Sequence, residues 1–113
     1  MNRIIDIAAV IDSPSALTQE QGEKVYSIIA DSMSRKEEIT LDFGNIESMI
    51  SPFLNTAIGK LYGPFTGETI GAYLHFKNFP QTKQSTLKIV IDNAKKYYSD
   101  KEKYASTVKD VIG

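Results

Sequence analysis

Few side chains in this chain are suited to chemistry. It has no cysteine and a single histidine, His75. Disulfides, thiolate zinc sites and cysteine nucleophiles are therefore excluded. A transition-metal site would have to be built from carboxylates around that one imidazole. Asp42 ends an alternating run, a place where carboxylates often act. Gly44-Asn45 follows it, so it reads more simply as a turn residue. Asp42 and His75 are the only candidates for an enzyme or ligand pocket at the strand ends. The glycines of "GPFTGETIG" (residues 63–71) match neither G-x-G-x-x-G nor a P-loop, and they follow a helical pattern where a phosphate cradle would follow a strand.

One other stretch draws interest. In "MISPFLNTAIGK" (residues 49–60), Ser51-Pro52 stands between an apolar run and a helical stripe. Serine is a favoured N-cap and proline a favoured first helical residue, so the pair reads as a helix start with Ser51 as its cap. A helix start also presents free N–H groups and a partial positive charge, which suit a phosphate. Ser51 is the first candidate for modification and Ser48 the second.

The elements that position these residues follow from hydrophobic periodicity. "RIIDIAAVI" (residues 3–11) is β-branched and nearly continuous in apolar residues, and predicts a buried strand. Asp6 and Asp12 interrupt it, which argues for a strand over an export signal. Thr18 with Gln21 forms a capping-box pattern, and Val25, Ile28, Ile29 and Met33 continue it as an amphipathic helix. Residues 37–43 alternate, with Ile39, Leu41 and Phe43 on one face, and predict a strand. Phe53, Leu54, Ala57, Ile58 and Leu61 predict a helix that Gly63-Pro64 stops. Residues 68–78 predict a third strand. Leu87, Val90, Ile91, Ala94 and Tyr98 recur at helical spacing. Tyr104, Val108, Val111 and Ile112 suggest a weaker helical tail, from about residue 100, docking on the domain. Alternating strands and helices imply an α/β fold: a central, mostly parallel sheet with helices packed against it.

The 113 residues fit a single domain, 1–113, with 42% hydrophobic and 24% charged side chains. A net charge of −1 lacks the basic footprint of a nucleic-acid protein. The Lys- and Tyr-rich residues 93–104 are interspersed with acids and read as a solvated helix face. No stretch reaches the roughly 18 to 20 apolar residues of a membrane helix. The expectation is a soluble, cytoplasmic protein without cofactor.

From Ile39 to Gly63 the chain resembles STAS domains, the fold of bacterial anti-sigma factor antagonists, and more closely a STAS-like family of small bacterial proteins. The residues that carry the likeness are Leu41-Asp42-Phe43, the apolar linker of residues 46–50, Ser51-Pro52-Phe53, and Gly59. The resemblance implies a non-enzymatic module that works by partner switching. Its partner would be an anti-sigma factor or ATPase-type kinase, released on phosphorylation of a serine at this helix start. The chain departs from the antagonists' Asp-Ser-Ser-Gly type motif: Ile50 stands for the Asp, Pro52 for the second serine and Phe53 for the Gly. The partner surface this implies centres on Ser48, Ser51, Pro52 and Asn55, beside the loop of residues 12–15. Pro14 and Ser15 there are also ordinary turn residues. Rival readings are the Asp42–His75 pocket and a subunit that self-associates through Tyr97, Tyr98 and Tyr104.

Overall fold

A computed structural model describes the backbone of residues 2–112 and the side chains of residues 2–99. Strands β1 (Asn2–Asp6), β3 (Glu38–Asp42) and β5 (Leu74–Lys77) form a parallel sheet in the order β1-β3-β5. The register places Ile5 beside Leu41 and Ile39 beside Leu74. Successive side chains on a strand point to opposite faces. Ile5, Ile39, Leu41 and Leu74 accordingly share one face and are buried. The other face carries Ile4, 59% exposed, together with Thr40 and His75. A second, two-stranded ladder pairs β2 (Ser15–Ala16) with β4 (Ser48–Met49), again in parallel.

The first predicted strand is half the expected length. At Asp6 the chain turns into a helix, α1 (Ile7–Ile11), because the Asp6 carboxylate accepts a hydrogen bond from the Ala8 N–H at 3.1 Å. That is an N-cap. Ile7 and Ile11 then bury at i, i+4 spacing. Asp12 closes the helix in the left-handed region at φ 55°.

Helix α2 (Gln19–Ser34) begins with the expected capping box: Gln21 N–H donates to the Thr18 hydroxyl, and the Gln21 side chain accepts from Thr18 N–H. Its buried face includes Val25, Ile29 and Met33. Helix α3 (Ser51–Ala57) is shorter than its apolar stripe suggests. The stripe continues as a 3₁₀ segment, Gly59–Tyr62, which still buries Leu61.

The predicted third strand is also corrected. Thr66 accepts a hydrogen bond from Thr69 N–H at 3.1 Å and starts helix α4 (Gly67–Tyr73), so β5 begins only at Leu74. Ile70 and Leu74, both buried, are as far apart as one helical turn, so the same residues satisfy either period. After a short 3₁₀ turn (Gln81–Lys83), helix α5 (Gln84–Ile112) packs Val90 against the segment around Gly59. The expected tail helix is thus continuous with α5; the side chains of Tyr104, Val108, Val111 and Ile112 lie outside the described residues. Among the described residues, no helix is long and apolar enough to cross a membrane.

Candidate functional site

The β2–β4 ladder builds the approach to Ser51. Its register sets Ala16 beside Met49, and both point inward, 0% and 2% exposed. Leu17 and Ile50, the residues that follow the two strands, are 41% and 43% exposed. The Ile50 N–H donates to the Ala16 carbonyl at 3.1 Å, which keeps the two chains in step up to that point. Glu47 and Ser48 N–H groups both donate to the Pro14 carbonyl, at 2.7 and 3.3 Å. The loop of residues 12–15 therefore lies directly beside Ser48, as the sequence suggested.

The start of α3 differs from the expected cap. Ile50, extended at φ −129° and ψ 166°, occupies the N-cap position, and no side chain caps the helix. Ser51 and Pro52 are its first two residues. Proline fits there because the first-turn N–H groups have no intrahelical partner to lose. The Ser51 hydroxyl is exposed and does no capping work. Ser48, Ile50, Ser51, Pro52 and Asn55 are all exposed, while Phe53 and Leu54 between them are fully buried. Asn55 lies one turn beyond Ser51 on the same helix face.

Leu17 and Ile50 were not legible as a site. "SAL" and "SMI" show the same inward–outward alternation, but two-residue strands are too short for a period to register.

A stability test separates the helix starts at Thr18 and Ser51. Ser51→Ala should change unfolding free energy by no more than about 0.5 kcal/mol, as a surface substitution that breaks no bond. Thr18→Ala should lose about 1 kcal/mol with its capping box. Urea unfolding of both variants measures the contrast; a loss at Ser51 equal to that at Thr18 would contradict the absence of a cap.

Asp42 and His75 are not brought together. The Asp42 carboxylate accepts from Gly44 N–H at 2.9 Å and from Asn78 Nδ2 at 3.1 Å. These bonds, with nearby Lys77, hold it below the usual aspartate value. His75 Nε2 instead meets Glu38 Oε1 at 2.9 Å, two residues back along the ladder. Cavities of about 350, 220 and 320 Å³ are lined by neither side chain. Among the described residues, no group of three or more His, Asp or Glu side chains could hold a metal. In the aromatic stretch of α5, Tyr97 is 59% exposed and meets Tyr98 edge-on at 4.9 Å, while Tyr104 lies outside the described side chains.

The Asp42 turn has a pH signature. A carboxyl lowered in the folded state stabilises the fold above its unfolded value of about 3.9, and that contribution fades as pH falls through the folded value. Wild type should therefore lose stability more steeply than Asp42→Asn on acidification below about pH 4. Urea midpoints across the acid range test this; parallel curves would contradict the turn's role.

A family model described as "STAS-like domain of unknown function (DUF4325)" matches residues 21–84. The match runs from the first turn of α2 through β3, β4, α3, α4 and β5 to the first residue of α5. Neither the curated proteins nor the solved structures contain a match. The matched span covers more than half of the chain and includes the whole helix start built by β4 and α3, and the chain belongs to this STAS-like domain family.

Proposed function

We propose that the chain is a non-enzymatic regulatory module that docks a protein partner at the start of α3 and releases it when Ser51 is phosphorylated. One observation carries the reading. Ile50, exposed and apolar, directly precedes an exposed serine whose side chain caps nothing, and Leu17, also exposed, follows the strand that pairs with β4. Exposed apolar side chains favour association, and a free hydroxyl is available to a kinase. Phosphate would add about −1.5 to −2 charges directly after Ile50 and oppose an apolar contact there. Ser48, exposed on the same ladder, is the second acceptor. The resemblance to STAS antagonists points to an anti-sigma factor or ATPase-type kinase as the partner class.

The test is affinity capture from the native host with wild type, Ser51→Ala and Ser51→Asp, each checked for an unchanged melting temperature. A partner held by wild type and Ser51→Ala but weakened at least tenfold by Ser51→Asp supports the switch. A partner held equally by all three removes Ser51 from the contact.

A further inference from the structure

A cavity of about 320 Å³ opens between α4, β5 and α5. None of the residues at the start of α3 lines it, so it is separate from the proposed docking site. Its wall is apolar: Ile70 and Leu74 are buried, and Phe76 and Ile91 extend the lining. The volume lies at the lower end of small-molecule sites, roughly 300 to 1,000 Å³.

Helix α4 lines the cleft with Gly67 and Gly71, one turn apart. A Cβ placed on Gly71 would meet nothing within 4 Å. Two polar groups stand on the same lining, Lys95 and Tyr62. The Lys95 ammonium lies 5.9 Å from the centre of the Tyr62 ring. Among the described residues, no carboxylate pairs with Lys95 and no group bonds the Tyr62 hydroxyl. Burial and, after it, the charge of Asp92 push the Tyr62 phenol above its ordinary value, and the protonated phenol is a hydrogen-bond donor.

We infer that this cleft binds a small amphipathic carboxylate, with its apolar chain or ring against Ile70, Leu74, Phe76 and Ile91 and its carboxylate on Lys95 and the Tyr62 hydroxyl. The charge complement sets the class. The Lys95 ammonium, bonded to no carboxylate among the described residues, and the Tyr62 phenol donor match a single negative charge, set against the nearby charge of Asp92, and the apolar wall matches a short hydrocarbon body. A charge-assisted bond to an otherwise unpaired ammonium supplies orientation as well as affinity.

Octanoate is the probe, titrated by calorimetry into wild type, Gly71→Leu and Lys95→Gln, with 1-octanol as its uncharged counterpart. Wild type should bind octanoate saturably and octanol at least fivefold more weakly. Gly71→Leu fills the cleft and should weaken octanoate at least twentyfold while the melting temperature holds or rises, since leucine is the better helix former. Lys95→Gln should weaken octanoate about tenfold and leave octanol unchanged. No saturable binding to wild type, or undiminished binding to Gly71→Leu, overturns the inference. Equal binding of octanoate and octanol overturns the carboxylate assignment. A dimer of wild type that Gly71→Leu converts to monomer would assign the cleft to a second copy of the chain and overturn it as well.

Discussion

Replacing Phe53 with alanine should cost about 3–5 kcal/mol of stability, the range for truncating a large buried aromatic. Phe53 is 0% exposed and stands among the largest fully buried side chains. It lies two residues after Ser51, on the turn of α3 that faces α2, where its carbonyl comes closest to Gly22. Truncation leaves a void in the buried core that Phe53 shares with Leu54, Ala57 and Ile58. Domains of this size are stable by only about 5–15 kcal/mol, so the loss removes a large share of the total. Urea unfolding should show a much lower midpoint with an unchanged m-value. A loss under about 1 kcal/mol would mean that α3 does not seat Phe53 in the core. The experiment also bears on the family pattern. The antagonists' motif has a glycine where this chain has Phe53, so here the position after Ser51-Pro52 serves as an anchor for the helix. Ser51 and Pro52 then stay outside because Phe53 and Leu54 go in.

The second large effect concerns two helical glycines that look alike in sequence. Helix propensity alone promises a gain of up to about 1 kcal/mol for Gly→Ala at either site. At Gly22 the gain should be reversed. A Cβ there would stand 2.8 Å from the Phe53 carbonyl oxygen and 2.8 Å from Thr56 Cβ. The obstacle is partly backbone, so α2 and α3 would have to move apart, and overpacking of this kind costs about 1–3 kcal/mol. Gly22→Ala should therefore be destabilised by about 1–2 kcal/mol net of its propensity gain. At Gly71, with open space around the added carbon, Gly71→Ala should be stabilised by up to about 1 kcal/mol. Paired thermal or urea unfolding reads the opposite signs directly. Stabilisation at both sites would show that α2 and α3 are less closely apposed than described. Because Gly22 lets α2 approach α3 at Phe53 and Thr56, its substitution should also shift α3.

How much was legible beforehand differs from element to element. Thr18 with Gln21 announced α2 because both halves of a capping box are local; the bonds they make span three residues and need nothing from the rest of the fold. The alternation of Ile39, Leu41 and Phe43 announced β3, since one face of that strand is dry along its whole length. The Asp42 turn was equally local, its carboxylate reaching the N–H two residues on. The alternation of strands and helices carried the α/β class, and Leu41-Asp42-Phe43, the apolar linker of residues 46–50, Ser51-Pro52-Phe53 and Gly59 carried the STAS-like resemblance.

Other features waited for the tertiary structure. Residues 3–11 and 68–78 each held apolar residues compatible with both periods, and single bonds from Asp6 and Thr66 decided where helix gave way to strand or strand to helix. His75 and Asp42 looked like partners in a list of reactive side chains; the β3–β5 register sent one to Glu38 and the other to Asn78. At Ser51-Pro52 the residue types named a helix start correctly, but which residue caps it depends on where the preceding strand ends. The β2–β4 ladder holds Ile50 extended through its bond to Ala16, and the helix can begin only after it. Local patterns thus determined which segments form helices and strands where the bonds involved are close in sequence. The exposure of Leu17 and Ile50 after the paired strands, the Ser51 side chain that caps nothing and the cleft at Gly71 arise from segments more than 15 residues apart meeting in register or failing to fill the space between them, which only the packed chain decides.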